Sequence, residues 1–243
     1  MMTRQIILSS LIAWLTTLPA FADWPNTGNE KLDSVLSEAK GASHQKAYPL
    51  YQKALLIDPK CADIYTERAS HYERDGQYSK ALQDCEKALQ LRPDNAFAYL
   101  TKARTCLQAG KYDEAISAAD KASASAGRNQ ELDNDELRVW GAALYHLGKY
   151  KEALVPLTSG MNYVPTKRKS ADALYYRALC YEKLKNNSNA LIDLDSAIKS
   201  APKRAQYYVA RARILRSTGD VKGAAKDEKL ARELPKETHV LFY

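Results

Sequence analysis

Small and apolar residues recur along this chain at a nearly constant distance. Residues 78–82, which read YSKAL, return as YDEAI at 112–116 and as YKEAL at 150–154, so the two steps are 34 and 38 residues. A glycine stands two residues before each of these segments. Self-similarity with a period of about 20 to 50 residues indicates a protein built from stacked supersecondary units. The pattern therefore predicts a repeat architecture.

The segments resemble the tetratricopeptide repeat, a pair of antiparallel helices in about 34 residues. The resemblance places a repeat region at 28–238, with inserts of four residues (130–133) and three residues (168–170) that interrupt the period. Its units are 28–61, 62–95, 96–129, 134–167, 171–204 and 205–238. The implied fold is all-α: a right-handed α-solenoid of about six helical hairpins, preceded by a signal peptide.

Small side chains at fixed positions support this placement. Two closely packed helices need small residues where their axes approach, and in the family these occur once in the first helix and twice in the second. Units two to six carry Ala or Gly there: Ala69, Ala81, Ala88, Ala103, Ala115, Ala122, Gly141, Ala153, Gly160, Ala178, Ala190, Ala197, Ala212, Ala224 and Ala231. The first unit has Val35, Ala47 and Ala54, of which only Val35 is larger than alanine.

The turn inside each unit needs a residue that tolerates left-handed backbone geometry. Four units have glycine at this point: Gly76, Gly110, Gly148 and Gly219. The fifth unit has the sequence Lys-Asn-Asn at 185–187, where asparagine can replace glycine.

The amino terminus has the three parts of a secretory signal in order. Residues 1–4 carry one positive side chain, Arg4, residues 6–18 are uncharged and largely apolar, and residues 20–22 read Ala-Phe-Ala. We expect a signal peptide at 1–22, cleaved between Ala22 and Asp23, and a short linker at 23–27. A retained anchor is the alternative, but this largely apolar stretch of 13 residues falls short of the roughly 20 that a spanning helix needs. This predicts an exported, bacterial-type protein, periplasmic or secreted, without stable membrane insertion of the mature chain.

The number and distribution of charged residues limit the kinds of partner that we expect the protein to bind. The formal net charge is +7, and the charges are interspersed, so solvated helix faces are the favoured interpretation. A mild positive excess also fits an acidic partner or weak attraction to an anionic membrane. Nucleic-acid binding finds little support, and a chain that is 45% hydrophobic is too apolar for disorder.

The four cysteines match no zinc or CxxC spacing. In an oxidising compartment a disulfide between Cys85 and Cys106, which would join adjacent repeats, is one alternative. The favoured alternative is that the cysteines are buried small hydrophobes.

Catalytic signatures are missing from the sequence. It contains no Gly-rich phosphate loop, no HExxH and no nucleophile elbow. The four histidines have no metal-ligand spacing. We therefore expect no enzyme activity, no cofactor and no metal.

The resemblance implies that the first helices line a concave groove. Its groove-facing positions combine aromatic, apolar and cationic residues, and the predicted partner-binding residues are Phe97, Leu100, Arg104, Leu107, Arg138, Tyr145, Tyr175, Lys183, Arg213 and Arg216. Aromatic residues and arginines dominate binding energy at interfaces. We expect an adaptor or scaffold that holds a protein or peptide ligand, partly acidic and with apolar anchors. The competing interpretation is that the leucines only pack between helices and the arginines are solvated.

Two other functions stay open. The first is a self-associating structural protein of the cell envelope, a homo-oligomer in which the groove holds another copy or the apolar tail at 239–243. The second is an accessory subunit of an envelope enzyme or secretion complex.

Overall fold

A computed structural model describes residues 29–126, 135–162 and 170–235. These ranges contain twelve α-helices and no strand, which confirms the all-helical prediction for this part of the chain. The predicted signal peptide, the linker, the insert at 130–133 and the apolar tail lie outside the described residues. None of the described helices is both long and apolar enough to cross a membrane.

Consecutive helices pack in pairs, which we number as hairpins 1 to 6. The helices are α1 (Glu30–Gly41), α2 (His44–Ile57), α3 (Ala62–Arg74), α4 (Tyr78–Leu91), α5 (Ala96–Gln108), α6 (Tyr112–Ala126), α7 (Asp135–His146), α8 (Tyr150–Asn162), α9 (Ala171–Lys183), α10 (Asn187–Ser200), α11 (Ala205–Ser217) and α12 (Val221–Glu233).

The chain divides into two compact units, 1–59 and 60–243. In the smaller unit, the described residues form hairpin 1. Asn29 begins α1, because its side-chain Oδ1 accepts a hydrogen bond from the Leu32 amide at 3.2 Å. The paired helices bury Leu36 of α1 and Tyr51 and Ala54 of α2.

In the larger unit, hairpins 2 to 6 stack in chain order. Each second helix packs on the next first helix, and the first helices α3, α5, α7, α9 and α11 also pack on one another. The main apolar core runs through this stack, from Ala103 in α5 to Ile214 in α11. Within this unit, α5, α7 and α9 each therefore touch their own hairpin and both neighbouring hairpins, which makes the row of first helices the natural place for a continuous surface.

The predicted small residues mark the close helix contacts. Those whose burial is described are buried, except for Ala231 in α12, which is half-buried because no described helix packs beyond it. Gly141 shows why size matters. A Cβ atom at this position would lie 2.4 Å from Cγ of the buried Leu157, so α7 and α8 approach too closely for a larger residue there.

The turn prediction is confirmed at four hairpins and corrected at one. Gly76, Gly110, Gly148 and Gly219 have φ values of 71°, 75°, 77° and 95°. In hairpin 5, Lys185 rather than an asparagine takes the left-handed conformation, with φ 62°. Asn186 has another role, because its Oδ1 accepts a hydrogen bond from the Asn189 amide at 3.3 Å and caps α10.

An ion pair recurs inside three hairpins and was missed from the sequence. It joins an arginine of the first helix to an aspartate 16 residues later in the second helix, through two hydrogen bonds of 2.6–2.8 Å. The pairs are Arg68–Asp84, Arg177–Asp193 and Arg211–Asp227. Tyrosine rings flank each guanidinium at 5.7–5.9 Å. Comparing equivalent positions between repeats could have found this signal.

The alternative of a Cys85–Cys106 disulfide does not hold in the structure, where both residues are buried free thiols. Cys106 Sγ instead lies 3.9 Å from Glu114 Oε2, in the second helix of its own hairpin. Burial raises the pKa of the Cys106 thiol to about 11 and that of Cys180 to about 12. Since the thiolate is the reactive form, these side chains act as small packing groups.

Candidate partner-binding face

The ten residues predicted to bind a partner lie on the first helices of hairpins 3 to 6. We call the surface formed by α3, α5, α7, α9 and α11 the first-helix face. Leu100 and Leu107 are buried in the core between helices, so for these two residues the packing interpretation is correct. Phe97, at the start of α5, is exposed.

Arg104 is held by carboxylates of both neighbouring hairpins. Its Nε donates to Glu73 Oε1 at 3.2 Å and its Nη2 donates to Oε2 at 3.0 Å, while Nη1 lies 3.5 Å from Asp135 Oδ2. Gln108 Nε2 donates a further hydrogen bond to Glu73 Oε1 at 3.0 Å, and Tyr78 Oη donates to Gln108 Oε1 at 3.1 Å. This network connects hairpins 2, 3 and 4.

Asp135 joins a second arginine to the same network. Nε of the buried Arg138 donates to Asp135 Oδ1 at 2.6 Å. Burial alone would raise the pKa of the Asp135 carboxyl, but the guanidinium groups of Arg138 and Arg104 outweigh burial and lower this pKa below its ordinary value. Carboxylates of the chain itself therefore neutralise Arg104 and Arg138, neither of which projects freely into solvent.

Aromatic rings form a continuous row from hairpin 3 to hairpin 6. Tyr112 stacks on His146 at 4.8 Å between ring centroids, and His146 and Tyr145 each contact Tyr176 at 5.9–6.0 Å. Tyr176 then contacts Tyr175 at 5.4 Å, and Tyr175 contacts Tyr207 at 5.2 Å. Offset and edge-to-face ring pairs at these distances are attractive. The row stabilises the stack and leaves the half-buried rings of Tyr145 and Tyr175 at the surface.

Burial perturbs the groups in this row. It raises the pKa of Tyr175 to about 12 and also raises the pKa of Tyr145. It lowers the pKa of His146, because desolvation disfavours the imidazolium form. These side chains are therefore neutral at pH 7, and the row offers apolar ring faces with hydroxyl groups at their edges.

The end of the first-helix face at hairpins 5 and 6 is the more open one. Arg213 forms two hydrogen bonds with Glu182, at 2.6 and 2.5 Å, yet 55% of its side chain is exposed. Val209, one helical turn before Arg213, is 52% exposed, and Lys183 is exposed as well. Arg216 is paired with Glu228 at 2.5 Å. Here, apolar, aromatic and charged groups reach solvent together.

The joint between these two hairpins contains a buried hydrogen bond. The hydroxyl of Tyr207 donates to Asp172 Oδ1 at 2.5 Å, and Arg204 Nη2 lies 3.6 Å from Oδ2 of the same carboxylate. Both Tyr207 and Asp172 are buried. Neither residue was among the predicted binding residues, and their role is to hold α9 and α11 together.

Comparison with known proteins agrees with the repeat geometry. Residues 72–134 match one model of the tetratricopeptide repeat, and residues 32–96 match another. Together these matches make residues 32–134 similar to tetratricopeptide repeats. Further along, residues 151–238 match the model of the auxiliary subunit of N-terminal acetyltransferase A. No curated protein matches the chain.

Solved structures containing such helical repeats share the fold. PilW, a type IV pilus biogenesis factor, aligns with a TM-score of 0.73 and 18% identity over 86% of this chain and 96% of its own. The Cut9–Hcn1 hetero-tetramer of the APC/C gives 0.74 and 16%, over 85% of this chain and 40% of its own. YrrB, a tetratricopeptide-repeat protein with an unusual peptide-binding site, gives 0.53 and 19%, over 77% and 93%. At these identities the likeness concerns the fold alone.

Proposed function

We propose that this protein is an exported adaptor that binds another protein or peptide on its first-helix face and performs no catalysis. The observation that carries the proposal is the open end of this face, where Val209 and Arg213 are exposed one helical turn apart on α11. The half-buried Tyr175 of α9 interacts electrostatically with Arg213. Interfaces draw most of their binding energy from such aromatic and arginine side chains. The peptide-binding site of YrrB shows that a protein of similar fold can serve this purpose.

The ligand that fits this end is a peptide with apolar anchors and a carboxylate. Tyr145, Tyr175 and Val209 offer apolar surface, and a ligand carboxylate can replace Glu182 at the exposed Arg213. Lys183 adds a second exposed cation nearby in α9. The same exchange at Arg104 would have to displace the buried Glu73, so we assign ligand contact to hairpins 4 to 6 rather than to hairpins 2 and 3.

Export rests on the charged, apolar and small-residue segments at 1–22. PilW, which has a similar fold, is a type IV pilus biogenesis factor.

The test is affinity capture from an extract of the compartment in which the protein resides, followed by binding assays with the purified partner. The test variant carries Val209→Ser and Arg213→Glu. The control carries Ile192→Ser and Lys199→Glu, which make the same kinds of change at exposed positions of the second helix α10. We expect the parent and the control to bind one partner equally and the test variant to lose at least about tenfold in affinity. Equal binding by all three proteins would refute the proposal.

A second candidate is an accessory subunit of an enzyme complex, favoured by the match of residues 151–238 to an auxiliary subunit. A captured partner with enzymatic activity that changes on binding would select this function. Self-association, the third alternative, predicts a molar mass that rises with concentration in analytical ultracentrifugation.

A further inference from the structure

The turns inside hairpins 4, 5 and 6 lie along one edge of the stack. They comprise residues 147–149, 184–186 and 218–220, and we call them, with the adjoining helix ends at 145–152, 182–188 and 216–223, the turn edge. Because α7 packs on α9 and α9 packs on α11, their carboxyl ends lie side by side. The contact of His146 with Tyr176 and the Arg213–Glu182 ion pair connect the three hairpins close to this edge.

Lysines on the turn edge are exposed and have no carboxylate partner among the described residues. They are Lys149, Lys183, Lys185 and Lys222. The acidic side chains nearby are largely engaged elsewhere. Glu182 binds Arg213, and Asp220 Oδ1 accepts the Gly223 amide at 2.9 Å. Exposed Glu152 is offset by its neighbour Lys151. The edge therefore carries a positive excess.

The corresponding turns of hairpins 2 and 3 have no such excess. In hairpin 3, Lys111 pairs with Glu114 at 3.3 Å and is followed by exposed Asp113. In hairpin 2, Arg74 and Asp75 stand next to each other at the turn. Among the turns of the larger unit, the positive excess is thus confined to hairpins 4 to 6.

The chemistry of this edge suits a diffuse anionic surface. Its unpaired cations are lysines, hydrated point charges without directional geometry, whereas Arg213 and Arg216, whose planar groups recognise single carboxylates, are already paired. The rings of Tyr145 and Tyr150 lie at the same edge, and tyrosine favours the boundary between apolar and aqueous phases. Val221, beside Lys222, is 57% exposed and adds an apolar contact.

We propose that the turn edge of hairpins 4 to 6 docks peripherally on an anionic phospholipid surface, with its lysines among the headgroups. Tyr175, Val209 and Arg213 of the first-helix face lie outside the turn edge and remain available, so a partner bound there would be held at the membrane surface. Clustered lysines close to an anionic leaflet attract it additively, and salt screens the attraction.

Vesicle co-sedimentation tests this docking, with phosphatidylglycerol-rich vesicles compared with pure phosphatidylcholine vesicles below saturation. The turn-edge variant carries Lys149→Glu, Lys183→Glu and Lys222→Glu. The control carries Lys87→Glu, Lys199→Glu and Lys203→Glu, which change the net charge equally at exposed positions away from these turns. All proteins retain residues 1–22, so any lipid affinity of that segment cancels between them.

We expect the parent and the control to partition onto the anionic vesicles, and the turn-edge variant to partition at least about tenfold less. The difference should vanish in about 1 M salt. Equal partitioning of all three proteins, or equal loss in both variants, would overturn the proposal. Absence of vesicle binding together with charge-dependent binding of polyglutamate would overturn it in favour of an acidic protein partner.

Discussion

Two ion pairs of the same chemistry occupy equivalent places in the repeats but differ in environment. Glu73–Arg104 and Glu182–Arg213 each join residues 31 apart, from the first helix of one hairpin to the first helix of the next. The side chains of Glu73 and Arg104 are 4% and 20% exposed, whereas those of Glu182 and Arg213 are 18% and 55% exposed. Glu73 also accepts a hydrogen bond from Gln108. We call the buried Glu73–Arg104 contact the sealed joint and the more exposed Glu182–Arg213 contact the open joint.

The contrast shows that the position in the repeat determines which residues meet, while burial determines how much the contact contributes to stability. A buried carboxylate and guanidinium depend on each other, because neither can recover its hydration if the other is removed. A solvated pair loses little when it is broken. In this molecule the sealed joint serves the fold, and the open joint leaves Arg213 largely exposed to solvent.

The largest effect is expected where the sealed pair is broken from one side. Glu73→Gln keeps the shape of the side chain but, among the residues that the structure describes, leaves Arg104 with only the more distant Asp135 as a charged partner. We expect a loss of about 3 kcal/mol in the free energy of unfolding. Urea unfolding followed by circular dichroism measures it. A loss no larger than that of Glu182→Gln would mean that burial does not distinguish the two joints.

Removing both charges of the sealed pair sharpens this test. The double variant Glu73→Met, Arg104→Met fills similar space without an unpaired charge, so we expect it to recover most of the stability lost in Glu73→Gln and to lie within about 1 kcal/mol of the parent. If the double variant were as unstable as the single one, packing rather than charge would explain the loss.

A second effect should appear between α9 and α11, which are also connected by the buried hydrogen bond of Tyr207 to Asp172. Tyr207→Phe removes the hydroxyl that donates to Asp172 Oδ1 at 2.5 Å and leaves the carboxylate with Arg204. We expect a loss of about 2 kcal/mol, typical of a hydrogen bond to a charged group. Tyr208→Phe is the matched control, because its hydroxyl donates to the carbonyl oxygen of Pro202 in a less buried setting. Equal losses would contradict this assignment.

Low pH should reduce the stability that Asp135 contributes through its contacts with Arg104 and Arg138. The two arginines lower the pKa of this carboxyl in the folded state, so its contribution to stability is present above the unfolded-state pKa of about 3.9 and is lost as the pH falls through the folded-state value. Asp135→Asn lacks this contribution. The stability difference between parent and variant should therefore be constant from pH 7 to about 5 and shrink towards pH 2. A difference independent of pH would exclude this coupling.

The helical scaffold could be predicted because each of its determinants lies within one repeat. Buried small residues such as Ala81 and Ala115 and the left-handed glycines report local geometry that recurs at a fixed period. The left-handed conformation of Lys185 was not predicted, because asparagine adopts this conformation more readily than lysine and Asn186 is its neighbour. In the structure Asn186 caps the following helix instead.

The sequence predicted the positions of the candidate site residues but not their burial or their ion-pair partners. The predicted residues do lie on first helices, yet the period alone did not show that Arg104 is paired with Glu73 or that Leu107 is buried. Such pairings depend on which side chains from two different repeats meet across a helix contact. The spacing of 31 residues between Glu73 and Arg104 and between Glu182 and Arg213 is visible in the sequence, but only the packed structure shows that these side chains form contacts.

The smallest effect is expected at the exposed pair, and its smallness is informative. Glu182→Gln should change the free energy of unfolding by less than about 1 kcal/mol, and salt of about 1 M should abolish even this change, because solvent and ions screen a pair whose arginine is mostly exposed. The same substitution frees Arg213 from its internal carboxylate, so affinity for an acidic peptide should rise. Stability that stays unchanged while affinity rises would identify the open joint as the ligand-facing one. A loss as large as that of Glu73→Gln would instead show that both joints serve the fold.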